Sequence, residues 1–128
     1  MEFRLDTNEG EYDLSASVRL IGDDILVAIW GGEKPHIGAV ATAQPHQSLK
    51  DPTTMSATAS VFCYLGHKED DLVKKAAEAL AAALGNKVVV TAGIHWDNLS
   101  QEGIRKVRQN ADAIVDLVLR RIRTEKGE

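Results

Sequence analysis

Cysteine is nearly absent from this sequence, which contains only Cys63. A single cysteine cannot form a disulfide within the chain, and without paired cysteines a structural zinc site has no support. Cys63 lies in an apolar strand pattern, and free cysteines in such patterns are commonly buried. We therefore expect Cys63 to be a structural residue of the core.

An excess of basic residues is absent as well. The 15 Lys and Arg residues are outnumbered by 19 Asp and Glu residues, and the formal net charge is −4. Surfaces that bind nucleic acid are normally basic, because they neutralise phosphates. We therefore expect no nucleic-acid partner.

Long apolar segments are missing too. No run is continuous enough to span a membrane, and residues 1–13 lack the cationic and apolar regions of a signal peptide. We expect no membrane partner and a cytoplasmic location.

The 128 residues have the length and composition of one ordinary globular domain. Residues 1–128 are therefore predicted to form a single domain.

Strand patterns dominate the first half of the sequence. Tyr12–Leu20 alternates apolar and polar residues strictly, as in a strand with one buried face. Turn residues follow, and the apolar run Ile25–Trp30 is typical of a strand buried on both faces. Further strands are predicted at Phe3–Leu5, Ile37–Ala43, Ala57–Leu65 and Lys87–Ala92, and loops at Pro45–Thr54 and Gly93–Asp97.

Two helices are predicted in the second half. The first follows the acidic segment His67–Asp71 and ends at Gly85, and the second carries one apolar stripe from Ile104 to Ile122. This order of elements predicts an α+β fold, a mixed α/β layer. Its sheet is expected to be mostly antiparallel, with about five to six strands and both helices on one face. The other face would be free for a partner, and such faces often form dimers.

The four histidines all fall in predicted loops or at the ends of predicted elements, where functional residues concentrate. These residues are His36, His46, His67 and His95. Three of them lie in glycine-containing segments, at residues 31–38, 66–70 and 93–98. Glycine-rich backbone and a helix N-terminus can hold a phosphate without basic side chains. The same pattern is equally typical of glycines that form turns and histidines that cap them.

Several of these residues are also types that ligate metals or transfer protons. The candidates are His36, His67, His95, Glu69, Asp70 and Asp97. Their spacing matches no metal motif such as HExxH, and the sequence lacks a P-loop, a dinucleotide-binding fingerprint and a GxSxG nucleophile. A small metal-dependent enzyme that uses these loops stays open as one alternative. A protein-assembly chaperone or adaptor, acting through a sheet-mediated dimer, is another.

The segment Gly31–Ala43 (GGEKPHIGAVATA), with the later segments GHKED and GIHWDN, resembles the prenylated-flavin chaperone family (LpdD-like). That family is itself distantly similar to the proteasome assembly chaperone fold. The resemblance extends from the Tyr12 strand to the last helix. It implies a homodimeric, non-enzymatic carrier. Such a carrier binds prenylated FMN from a flavin prenyltransferase and delivers it to a UbiD-type decarboxylase.

The resemblance also implies which residues bind the cofactor. They are Gly32, Pro35, His36 and Gly38 in the first segment, His67 and Glu69 in the second, and His95 and Asp97 in the third. An acidic protein would hold the phosphate more easily if a divalent metal bridged it to a carboxylate. The candidate ligands for that metal are His67, Glu69 and Asp97.

Overall fold

A six-stranded sheet and two helices form the protein, and the computed structural model describes residues 1–128. The elements in chain order are β1 (Glu2–Asp6), β2 (Leu14–Ile21), β3 (Asp24–Gly32), β4 (Ala39–Gln47), β5 (Met55–Cys63), α1 (Asp70–Leu84), β6 (Val88–His95) and α2 (Gln101–Glu125). The predicted α+β fold is confirmed.

The strands lie in the order β1-β2-β3-β6-β4-β5. All neighbouring pairs are antiparallel except β3 and β6, which are parallel. As a result, the last residues of β3, β5 and β6 and the first residue of β4 meet at one end of the sheet. We call this the histidine end, and it is bounded by Gly32, Ala39, Cys63 and His95.

Both helices cover the same face of the sheet, as predicted. Helix α1 packs against β4, β5 and β6, and α2 packs mainly against β2. Burial alternates along β2, β3 and β4, as expected for strands with one covered face. Beneath α1, β4 contributes Ala39, Ala41 and Ala43, all buried, and these small side chains allow the helix to approach closely.

The ends of the helices follow from local chemistry. Gly85 ends α1 in the left-handed conformation, with φ of 68°, which glycine adopts without steric cost. At the start of α2, the side chain of Ser100 accepts a hydrogen bond from the backbone N–H of Gly103. Neither helix combines the length and apolar character needed to cross a membrane.

Two of the predicted loops are partly strand. Pro45 and His46 lie in β4, which continues to Gln47. Proline is tolerated there because the pairing of β4 with β6 ends at Ala43, so that only β5 pairs with this part of β4. Gly93–His95 forms the end of β6 because it pairs with the last residues of β3. The other predicted strand boundaries differ by one or two residues.

Cys63 is less buried than we expected from the sequence. It packs against the core but is only partly covered, because it ends β5, an edge strand of the sheet. Its thiol donates a hydrogen bond to the backbone carbonyl of His67, with Sγ and O 3.2 Å apart. The thiol therefore helps to fix the segment that leads into α1.

The orientation of α2 can be tested with two isoleucines on the same helix. Ile114 is fully buried, whereas Ile104 is 41% exposed. We expect Ile114→Ala to lower the free energy of unfolding by about 2–5 kcal/mol, because it leaves a cavity in the core. The control Ile104→Ala should lower it by less than about 1 kcal/mol. Urea denaturation followed by circular dichroism measures both values, and equal losses would contradict the orientation of α2.

Candidate functional site

The loop between β3 and β4, residues 33–38, has to cross the end of β6, because β6 lies between those two strands. We call it the crossing loop. Its backbone is tied to β6 at both ends. The N–H groups of Glu33 and Gly38 donate to the carbonyls of His95 and Ala92, at 2.8 and 2.9 Å. The crossing loop therefore lies directly on β6.

Two glycines leave room for this crossing. A Cβ atom at Gly93 would collide with the backbone carbonyl of His36, and one at Gly32 would collide with the carbonyl of His95. Gly32 also has φ of 93°, a conformation that other residues rarely adopt. Gly32 was predicted to bind a cofactor, and close backbone packing is itself a sufficient reason for glycine at this position.

Three of the predicted site residues meet where the crossing loop lies against the start of α1. His36, His67 and Glu69 form what we call the histidine–glutamate cluster. Their nearest side-chain nitrogen and oxygen atoms all lie within 4.8 Å of one another. The Nε2 atom of His36 is 3.0 Å from Oε1 of Glu69, and the two imidazole rings have centroids 4.3 Å apart. Residues from separate loops thus form one compact group of polar side chains.

The carboxylate of Glu69 is held from several sides. Its side chain is only 11% exposed. It accepts hydrogen bonds from the backbone N–H groups of Ile94 and Lys68, at 3.3 and 3.1 Å. A Cβ atom at Gly38 would collide with this carboxylate, so the glycine leaves the space that Glu69 fills. Glu69 precedes the first residue of α1 but makes no side-chain capping bond, because the side chain turns towards β6.

Both ring nitrogens of His36 face hydrogen-bond acceptors. Nδ1 lies 2.8 Å from the backbone carbonyl of Lys34, which can only accept, so Nδ1 carries a hydrogen. In a neutral ring, Nε2 would then direct a lone pair at the Glu69 carboxylate. The contact is favourable when a proton, on either group, or a cation lies between Nε2 and the carboxylate. The cluster is therefore arranged to hold a proton or a metal cation between its donor atoms.

His95 and Asp97 form a second, more exposed group beside the crossing loop. Nε2 of His95 is 2.8 Å from Oδ1 of Asp97, and Nζ of Lys34 is 3.3 Å from Oδ2. The hydrogen bond from His95, followed by the hydrogen bond and charge of Lys34, lowers the pKa of Asp97 below its ordinary value. Asp97 therefore pairs with Lys34 and His95 and is not part of the histidine–glutamate cluster.

A groove of about 740 Å³ runs between α1 and α2. Its apolar walls come from both helices, from the end of β6 and from the segment that follows β6. They include Leu72, Ile94, Trp96, Ile104, Val107 and Val115. Trp96 makes an edge-to-face contact with Tyr12, with ring centroids 5.4 Å apart. Glu69 and His95 also line the groove. The groove and the histidine–glutamate cluster therefore share Glu69.

Three basic side chains on the groove were missed by the sequence reasoning. Lys68, Lys75 and Arg108 line it, and none of them has an ion-pair partner within 4 Å. The sequence did contain a signal for two of these residues, because each lies beside the apolar stripe of its helix. Lys75 is three residues after Leu72 on α1, and Arg108 follows Val107 on α2. Only the fold shows that these two helices border one groove.

The remaining predicted residues have simpler positions. Gly32 and Gly38 lie at the two ends of the crossing loop and act through their backbones. Pro35 is exposed in the middle of that loop. His46 lies near the other end of β4, where its Nε2 is 2.7 Å from Oγ1 of Thr58. The three predicted glycine–histidine segments thus converge at the histidine end, and His46 does not join them.

Comparison with known proteins agrees with the predicted resemblance. Residues 8–123 match the model of the prenylated flavin chaperone LpdD-like domain. Protein LpdD of Lactiplantibacillus plantarum is 28% identical over 100 residues, which cover 77% of this chain and 68% of that protein. A chain from the crystal structure of a chaperone complex for yeast 20S proteasome assembly is 14% identical. It superposes with a TM-score of 0.57 over 97% of both chains.

At 14% identity, the likeness to the proteasome assembly chaperone shows the fold alone. The family match is stronger evidence, because it extends from before β2 almost to the end of α2 and includes every residue of the histidine end. The predicted resemblance to the prenylated-flavin chaperone family is confirmed, and so is the predicted similarity to the proteasome assembly chaperone fold. The chain belongs to the family of prenylated flavin chaperone LpdD-like domains.

Proposed function

We propose that this protein is a non-enzymatic carrier of prenylated FMN. It accepts the cofactor from a flavin prenyltransferase and delivers it to a UbiD-type decarboxylase. Membership of a chaperone family supports this role. The observation that carries the proposal is the groove of about 740 Å³ beside the histidine–glutamate cluster. Grooves of this size and apolar character accommodate small ligands such as cofactors.

The ring system of the flavin would pack along the apolar walls of the groove. Trp96, Ile94 and Val107 present flat or branched apolar surfaces there. The carbons that prenylation adds to the flavin would increase the apolar surface buried in the groove. Each buried methylene group contributes about 0.8 kcal/mol. The same walls would therefore bind the prenylated cofactor more tightly than FMN.

The polar parts of the flavin would lie at the two ends of the groove. We place the phosphate near the histidine–glutamate cluster, at the glycine-containing segments and the helix start that the sequence suggested, and near Lys68. Asp70 and Asp71 occupy the first turn of α1, and together with Glu69 their negative charges repel a bare phosphate there. A bound cation at this end would offset that repulsion together with Lys68. Lys75 and Arg108 lie farther along the groove, where they can donate to the carbonyl groups of the flavin ring.

The carrier would act as a homodimer through the uncovered face of the sheet. This face bears apolar side chains on its central and edge strands, including Leu26, which is 38% exposed, and Phe62, which is 63% exposed. Phe62 also packs against Tyr64, with ring centroids 5.1 Å apart. Exposed apolar clusters of this kind are typical of protein–protein interfaces. A dimer through this face would leave the groove on the helical face open for cofactor transfer.

The preference for the prenylated cofactor can be measured directly. We expect prenylated FMN to bind roughly tenfold more tightly than FMN, with one molecule per chain, because the groove buries the added carbons. Anaerobic titration followed by absorbance gives both affinities, and native mass spectrometry gives the stoichiometry. Arg108→Ala should weaken the binding of both flavins by about tenfold, because it removes a charged donor.

The matched control for that variant is Arg105→Ala. Arg105 lies on the same helix but pairs with Glu102 and does not line the groove. We expect it to leave both affinities unchanged. Equal affinities for FMN and prenylated FMN would contradict the proposed ring site. Binding of neither flavin would contradict the carrier proposal and favour a role in protein assembly.

The dimer is tested by placing a charge on the uncovered face. Phe62→Glu should convert the dimer to a monomer, because a carboxylate in an apolar interface is costly to bury. Sedimentation equilibrium measures the mass, and circular dichroism checks the fold. Leu49→Glu is the control, since Leu49 is 99% exposed in the loop between β4 and β5. A wild-type protein that is monomeric at all concentrations, or a dimeric Phe62→Glu variant, would contradict the proposed interface.

A further inference from the structure

We propose that His36, His67 and Glu69 form a binding site for one divalent transition-metal ion. The donors are two imidazole nitrogens and a carboxylate oxygen, all within 4.8 Å of one another. Mixed nitrogen and oxygen donors suit Mn²⁺, Fe²⁺, Co²⁺ and Zn²⁺, whereas Mg²⁺ and Ca²⁺ prefer sites made of oxygen alone. The site differs from the ligand set suggested by the sequence, because His36 takes the place of Asp97.

The hydrogen bond that usually supports a metal-binding histidine is already present at His36. Metal-binding histidines usually donate their other ring N–H to a carbonyl or carboxylate, which fixes the ring. Here Nδ1–H of His36 donates to the Lys34 carbonyl at 2.8 Å. This bond directs Nε2 at Glu69. A cation between Nε2 and the carboxylate would turn an unfavourable meeting of lone pairs into two metal bonds.

Glu69 is likewise prepared to act as a ligand. The backbone N–H groups of Ile94 and Lys68 hold its carboxylate in place, and its side chain is 11% exposed. Burying a carboxylate is costly unless its charge is compensated. No lysine or arginine pairs with Glu69, and His36 is its only ion-pair partner. A divalent cation would supply the missing compensation.

His67 is the ligand with most freedom to move as the site closes. Two ligand atoms that are each about 2.1 Å from a tetrahedral Zn²⁺ lie roughly 3.4 Å from one another. Nε2 of His36 and Oε1 of Glu69 are already 3.0 Å apart. The His67 ring makes no hydrogen bond, and the residue is exposed in the segment before α1. Its donor atom lies within 4.8 Å of those of His36 and Glu69, and a small shift of the exposed side chain would bring it to the metal. Gly38 keeps the opposite side open, because a side chain there would fill the site.

Three protein ligands leave coordination positions open. This arrangement is typical of sites that also bind a substrate or a cofactor. The next step rests on the proposed carrier function. In the carrier, the open positions would accept a phosphate oxygen of the flavin. The metal would then overcome the repulsion between that phosphate and the acidic start of α1. This step deepens the proposed function by naming the class of metal ion and its ligands.

The metal site is tested first without any flavin. We expect chelator-treated wild-type protein to bind one Co²⁺ per chain, seen as a visible absorption band, and to bind Zn²⁺ in calorimetry. His67→Ala and Glu69→Gln should each weaken metal binding by at least about tenfold. His67 is exposed, so its replacement should spare the fold, which circular dichroism verifies.

Two further variants make the assignment falsifiable. His46→Ala is the control, because His46 lies in β4 away from the cluster, and it should bind Co²⁺ like the wild type. Asp97→Asn should also keep full binding. Loss of Co²⁺ binding in Asp97→Asn, or unchanged binding in His67→Ala and Glu69→Gln, would overturn the assignment. Absence of stoichiometric binding by the wild-type protein would overturn the site altogether.

The bridge to phosphate has a separate measurement. FMN is titrated against the protein with and without one equivalent of Mn²⁺. A gain in affinity of about tenfold or more supports the bridge. An unchanged affinity would overturn the bridge but would leave the metal site and the carrier proposal standing. Flavin binding by a protein that binds no metal would overturn the metal site and keep the carrier.

Discussion

The parallel pairing of β3 with β6, with β4 on the far side of β6, is the constraint on which the candidate site depends. It forces residues 33–38 to cross the end of β6. The crossing is possible because Gly32 and Gly93 have no side chains to obstruct it. His36 is thereby brought against Glu69 at the start of α1. Without this strand order, the three histidine segments would lie apart.

The polar residues at this end of the sheet and the apolar groove beside it belong to one arrangement. Glu69 takes part in the histidine–glutamate cluster and also lines the groove. The cluster offers two imidazole nitrogens and a carboxylate to a cation, whereas the groove offers apolar walls with Lys75 and Arg108 beyond them. A flavin has a phosphate at one end and a ring with polar edges at the other. Such a ligand matches both parts of the arrangement.

The sequence predicted the fold well where periodicity is strong, as in β2 and along the apolar stripe of α2. The predicted loops at Pro45 and at Gly93–His95 were wrong. Pro45 is in a strand because it pairs with β5, and Gly93–His95 is in a strand because it pairs with β3. Local glycine–histidine patterns identified His36, His67 and Glu69. Which of them meet depends on strand order, so Asp97 could not be separated from the cluster beforehand. Arg108 was missed because its groove exists only after α1 and α2 have packed.

The central claim is that one end of the sheet combines a metal site with a flavin groove. A crystal structure of the protein grown with Mn²⁺ and FMN, with anomalous diffraction recorded for manganese, tests it most directly. We predict an anomalous peak between His36, His67 and Glu69, and flavin density between α1 and α2 with the phosphate beside that peak. A peak at Asp97, or flavin on the uncovered face of the sheet, would contradict the account.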